Sequence, residues 1–344
     1  MITDSELKQK VLDVSLSKDC WYPVAKTQEL KIGKILKVTL FDENYVLFYK
    51  DNHFSIVALE DRCAHRHIPL SEFGQLKGRQ IVCGYHGWTY DFAGKCTDIP
   101  LHPEGVKSFK KPPCIKSFLC QEKYGILWLF PGNQSLAAQT PLPQVATLEQ
   151  TNTKIGYTIL DEIFHAHHSQ VIENFCDLYH EKLHERYQPF NNSCLMDWKI
   201  TENGLNILYK TQFSKGLFLK HFLKDFKSEV NVELRYEYPH LSLHFEGQQE
   251  LWIFLQPISA QKTRVLAFFL PQFIIPFTNK RMPYIATQFM TAIFTSLYSK
   301  TFTNEDHMVL EAEAKVARKH STKPYYEVNA VIPALRKLLI ERSN

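Results

Sequence analysis

Two short stretches constrain the fold of this chain more than any other feature: CAHRHIPL, starting at Cys63, and CGYHGWTYDFAGKC, starting at Cys83. Each sets a cysteine close to a histidine, Cys63 with His65 and Cys83 with His86. Thiolates and imidazoles in paired loops can bind zinc or a [2Fe–2S] cluster, so the chain must fold these two loops against a shared centre. Zinc fingers usually pair Cys with Cys and His with His across a ββα unit, whereas each loop here supplies one of each. One of each suits a cluster with one iron on two thiolates and the other on two imidazoles. Neutral imidazoles remove negative charge and raise the reduction potential, which makes a better electron acceptor than four cysteines would.

The 344 residues, 44% of them hydrophobic, suffice for two domains with sizeable cores. From about residue 34 the pattern is a series of short β-rich runs, KILKVTLF, YVLFYK, FSIVALE, RQIVCGYHGWTYDF and YGILWLF, separated by turn residues. These predict a small all-β unit with the Cys–His pairs in two of its loops. The segment 131–154 is rich in Pro, Gln, Thr and Ser and suits a domain boundary. Residues 1–140 therefore read as a β domain with a leading helix over 4–14, and 141–344 as a second domain. That second domain mixes a helix over 165–187, several strands, and a helical tail from about 280. The fold class is α+β, an antiparallel sheet flanked by helices. Aromatic strands such as LRYEYPHLSLHF and LWIFLQP could line a pocket but suit plain core better.

Composition excludes several classes. With 40 basic against 36 acidic residues there is no footprint for nucleic acid. The most basic run, LKHFLKDFK (219–227), reads as a solvated helix face. MITDSELKQK lacks the features of a signal peptide. VLAFFLPQFIIPF (265–277) is too short to span a bilayer and contains Gln and two prolines. A cytoplasmic protein with no membrane span is expected, whose eight cysteines are reduced, so paired spacings point to metal rather than disulfides. No G-x-G-x-x-G occurs among the 13 glycines, so NAD(P)H is not expected to bind directly.

The second constellation is NFCDLYHEKLH (174–184). At about 100° per residue, Asp177, His180 and His184 fall on one side of a helix, beside an apolar stripe of Ile172, Phe175, Tyr179 and Leu183. Two histidines at i and i+4 can bind one metal, and with a carboxylate they form the facial triad of non-haem Fe(II) oxygenases. His165, His167 and His168 at the helix entrance suit structural, pocket or interface roles.

With DCWYPVAKTQEL before them and CQEKYGILWLF after, the two Cys–His loops resemble the Rieske domain of the Rieske non-haem iron oxygenases. NFCDLYHEKLH is similar to that family's iron-binding signature, and TNEDHMVLEAE (303–313) resembles its C-terminal ligand helix. The resemblance implies a [2Fe–2S] cluster on Cys63, His65, Cys83 and His86, and a mononuclear Fe(II) on His180, His184 and Asp306. Glu305, Glu311 and Glu313 compete with Asp306 as the carboxylate. Asp177 matches the family's inter-subunit electron bridge, and Asn174 its polar neighbour near the iron. Cys96 reads as structural. Two positions depart from the pattern. His67 stands where the family usually has Gly, and the second histidine usually falls one place later, where this chain has Glu185.

By resemblance the chain is a terminal oxygenase that uses O2 and draws electrons from a separate reductase or ferredoxin, with NAD(P)H acting only indirectly. A homotrimer is implied, as is a small organic substrate that is aromatic, alicyclic or alkaloid. Hydroxylation or oxidative demethylation is favoured over ring cis-dihydroxylation. A non-catalytic Rieske electron carrier would not need Asp177, His180, His184 and Asp306.

Overall fold

The β-rich runs of the first half form three small antiparallel sheets in the computed structural model, which describes residues 3–50, 55–150, 155–185, 190–212, 222, 228–276, 278, 280–295, 300–317, 319 and 323–343. One sheet joins Tyr22–Lys26, Ile126–Leu129 and Cys120–Lys123. A second joins Leu36–Leu40, Glu43–Tyr49, Ile56–Glu60 and Ser117–Phe118. The third, Gly74–Lys77, Gln80–Cys83, Thr89–Tyr90 and Cys96–Asp98, ends one strand on Cys83. Val46, Phe48, Leu59, Leu70, Ile81 and Tyr90 pack with Cys63 and Cys83 in one buried cluster, so the thiols belong to the core of this unit.

The second unit is built on a seven-stranded antiparallel sheet. Its order is Thr158–Phe164, Lys262–Pro271, Gln249–Ser259, His240–Phe245, Glu229–Glu237, Gly204–Gln212 and Asn191–Ile200. Val230, Val232, Leu234 and Tyr236 alternate with more exposed Asn231, Glu233 and Arg235, the period of a sheet with one buried face. The aromatic strand segments are core in part: Tyr236, Ile253, Phe254 and Leu255 are buried, whereas Phe245 and Trp252 are half-buried. The helix Val331–Arg342 presents buried Val331, Ile332, Leu335, Leu338 and Leu339 and packs on the helix His168–Cys176 and the strand Gly204–Gln212. The apolar run 265–277 contributes to the strand Lys262–Pro271.

Two expectations need correction. The leading helix Asp4–Val11, closed by a Thr3–Glu6 capping box, packs on Val331–Arg342. It therefore belongs with residues 144–344, while Ser17–Pro143 forms the other unit. Leu7 and Val11 carry this placement, since they are its buried side chains. Nor is 165–187 a single helix. An α-helix runs over His168–Cys176 and stops at Asp177, whose φ of −112° and ψ of 108° are extended. A 3₁₀ turn over Leu178–Lys182 follows. The expected stripe is broken accordingly: Ile172 is buried but Tyr179 is exposed. The basic run 219–227, apart from Phe222, lies outside the described residues. Among the described residues no helix is long and apolar enough to cross a membrane.

Candidate active site and redox loops

The two Cys–His loops close by the same hydrogen-bond pattern. In the first, Cys63 N–H donates to the Ile68 carbonyl (2.9 Å) and His67 N–H to the Cys63 carbonyl (2.8 Å). In the second, Cys83 N–H donates to the Trp88 carbonyl (2.8 Å) and Gly87 N–H to the Cys83 carbonyl (2.9 Å). The residue four places after each cysteine has positive φ, 57° at His67 and 75° at Gly87. His67 thus stands in a left-handed position that favours glycine, although histidine is among the side chains enriched there. Buried Asp61 fixes the first loop from outside, accepting from the backbone (2.7 Å) and hydroxyl (2.6 Å) of Ser71.

The two loops bury their thiols and leave their imidazoles together at the rim. Cys63 and Cys83 are each 2% exposed, whereas the His65 and His86 rings lie at the edge with centroids 4.6 Å apart. His65 stacks on Trp88 at 4.9 Å and 6°. Burial pushes the Cys83 thiol up, against the backbone amides of Tyr85 and His86, which favour its thiolate. Tyr90 was not foreseen. Its hydroxyl accepts from Ala64 N–H (2.9 Å) and lies 3.1 Å from Cys63 Sγ, which leaves its own proton for the sulfur. Burial raises its phenol pKa and keeps that proton in place. Cys96 is buried, its thiol pushed up to about 11 by burial, and it points at the Asp98 carbonyl. Beside the loop histidines a cavity of about 520 Å³ is lined by Trp88, fully exposed Leu101, His102 and Phe109.

In the second unit His180, His184 and Asp306 converge, with one donor atom from each within 4.8 Å of the others. They are the one such group of three among the described residues. Helical periodicity did not produce this meeting. The break at Asp177 and the non-helical His180 (φ −85°, ψ 22°) swing the two rings toward the helix Lys300–Ala317, which carries Asp306. Asp306 Oδ1 lies 3.4 Å from His184 Nε2, 3.7 Å from His180 Nε2 and 3.2 Å from Asn174 Nδ2, which donates to it. Burial holds the His180 pKa below its ordinary value against Asp306. Burial also opposes charge on His184, but Asp306 and Glu305 outweigh it and the pKa is raised.

The competing residues find other places. Glu305 accepts from His184 Nδ1 at 2.8 Å, which turns the Nε2 lone pair toward Asp306. Glu311 pairs with Lys315 and Glu313 with Lys8. Glu185 is exposed beside Lys182, while His184 is fully buried, so in this register it is the histidine that faces inward. Asp177 is off the shared helix face. Its Oδ1 accepts from Tyr179 N–H and from Asn329 Nδ2, each at 2.9 Å. Asn329, itself buried, also donates to Tyr209 and carried no sequence signal. Of the entrance histidines, His165 is exposed, His167 caps the helix through Nδ1, and His168 is buried; none joins the metal-donor group.

Known proteins resemble this chain in sequence and in fold. Residues 20–115 match the Rieske [2Fe-2S] domain family. A 4beta-methylsterol monooxygenase of Methylococcus capsulatus is 32% identical over 97% of this chain and 90% of that protein. The vanillate O-demethylase oxygenase subunit of a Pseudomonas species is 33% identical over 40% of this chain and 39% of its own. In structure, dicamba monooxygenase bound to dicamba superposes with a TM-score of 0.74 at 18% identity, covering 96% and 98% of the two chains. The chain belongs to the Rieske non-haem iron oxygenases. It is an oxidoreductase, the terminal oxygenase component that carries a Rieske cluster and mononuclear iron and takes O2 as co-substrate.

Proposed function

We propose that this oxygenase monooxygenates an alicyclic, sterol-like small molecule, hydroxylating or oxidatively demethylating it. The substrate class rests on the methylsterol monooxygenase, a relative that aligns along nearly the whole chain. In this reading Cys63, His65, Cys83 and His86 hold the [2Fe–2S] cluster, and the two buried thiols with two rim imidazoles fit its ligand chemistry. His180, His184 and Asp306 hold Fe(II), for which two imidazoles and one carboxylate are the fitting donor set. When bound, the cluster supplies single electrons and the iron activates O2. The protein's own part is positional. Glu305 keeps the proton of His184 on Nδ1, and Asn174 steers the Asp306 carboxylate by its amide. Asp177, held by Asn329, is the inter-subunit bridge of a homotrimer in which the loop histidines, His65 exposed and His86 half-buried, meet a neighbouring protomer. A separate reductase or ferredoxin delivers the electrons, and NAD(P)H acts only through it; a cytoplasmic setting belongs to the same reading.

The observation that carries this reading is the convergence of His180 and His184 with Asp306, which an electron carrier would not need. Total iron and acid-labile sulfide on anaerobically purified protein test it. About three irons and two sulfides per chain are expected. About two of each after Fe(II) reconstitution would leave a carrier.

A further inference from the structure

The helix Tyr284–Phe294 is turned inside out. Its most buried side chains are polar, Thr287 at 5% and Thr291 at 0% exposed, with Ala286 and Met290 only half-buried beside them. Both hydroxyls are satisfied by carbonyls one turn back, Met282 and Thr287. Its solvent face is apolar, with Ile285 81%, Phe289 66% and Ile293 39% exposed at i, i+4 and i+8. A surface helix ordinarily does the reverse. The roll is fixed by Gly156, where an added Cβ would sit 2.7 Å from the Thr287 Cβ. The chain comes too close there for an isoleucine or phenylalanine to face inward at 287, so the apolar stripe cannot turn in.

We propose that this helix is a membrane-docking element that lies in the headgroup interface of an anionic bilayer with Ile285, Phe289 and Ile293 downward. Charge complementarity selects that occupant. The helix has no charged residue, while Lys280 and Arg281 stand exposed immediately before it. Half-exposed Tyr284 and Ile275 lie at the same end, where Ile275 N–H bonds to the Lys280 carbonyl (3.0 Å). Apolar side chains rimmed by an aromatic ring and two cations match the interfacial pattern, each cation adding attraction to anionic lipid. A two-fold contact with a second copy would instead bring the same cations to the same face, like against like. With 11 residues the helix is roughly 16 Å long, about half a bilayer core, so it lies in the plane rather than spanning. Docking would bring the oxygenase to a lipid-resident substrate; that purpose rests on the sterol-like class proposed above, while the geometry does not.

The test is co-sedimentation of the full-length, metal-loaded protein with vesicles of phosphatidylcholine alone or mixed with phosphatidylglycerol. Binding to the mixed vesicles is expected, weakening with salt. Ile285→Ser with Phe289→Ser should lower the partition coefficient at least ~30-fold. Lys280→Glu with Arg281→Glu should lower it at least ~10-fold on mixed vesicles and little on phosphatidylcholine. Iron and sulfide content unchanged in both variants separates loss of docking from loss of the oxygenase sites. Wild-type protein that stays in the supernatant with both vesicles overturns the proposal. So does an Ile285→Ser/Phe289→Ser variant that binds like wild type, or one that falls to a smaller oligomer, which would assign the stripe to a second copy.

Discussion

Glu305→Gln is the perturbation that isolates how the second histidine is set. Glu305 never reaches the converging donors itself; it accepts from His184 Nδ1 at 2.8 Å, on a ring with no solvent exposure. The glutamine keeps the shape but can present its amide nitrogen to the ring, removes the charge, and no longer fixes which nitrogen bears the proton. A charge-assisted hydrogen bond of this kind is worth about 1.5–3 kcal/mol. Orienting carboxylates behind a ligand histidine typically carry about 10–100-fold in metal affinity. We therefore expect Fe(II) to bind roughly 10–100-fold more weakly in the variant, read by anaerobic chelator competition. The visible spectrum of the Rieske cluster should stay unchanged, which reports that the fold is intact. Asp306→Ala, which removes a donor, should abolish the site. An affinity within about threefold of wild type in Glu305→Gln would refute the orienting role, since it lies below the smallest effect argued here.

Arg336 is fully buried and grips Glu173 with two bonds of 2.9 and 2.6 Å. Arg336→Met should cost about 3–5 kcal/mol in urea unfolding because it strands the carboxylate, and Glu173→Leu added to it should recover most of that. Less than about 1 kcal/mol would mean water reaches Glu173. Tyr90→Phe removes the donor to Cys63 Sγ, whose bond is stronger when the cluster is reduced. The midpoint potential should fall by about 20–65 mV, and a rise in voltammetry would contradict the bond's direction. Buried His168 is held well below its ordinary pKa by burial and then by His167. The native state keeps it neutral while the unfolded chain gains a proton below about pH 6.5. Its contribution is therefore present above that pH and lost on acidification, by up to ~1.4 kcal/mol per pH unit. The acid limb of stability against pH should flatten in His168→Gln, and an unchanged slope would show the group is not the one titrating.

What the sequence determined by itself was chemical. Ligand types and their spacing are local properties, so the two Cys–His loops, the His180–His184 pair and the acidic stretch at 305–306 could all be found without coordinates. The alternation of β-rich runs sufficed for the sheets in the same way. Tertiary structure decided the rest, because it depends on partners remote in the chain. Periodicity extended a helix through Asp177, where the backbone breaks; the cap that Asp177 forms, and the Asn329 that holds it, lie outside any local pattern. Four acidic residues near 305–313 were chemically equivalent until packing sent Glu311 to Lys315, Glu313 to Lys8 and Glu305 behind His184, leaving Asp306 to face both rings. The leading helix followed its apolar face onto Val331–Arg342 rather than its neighbours in sequence. Burial of an apolar face is non-directional and takes whichever surface the whole fold offers, which no local stretch of sequence records.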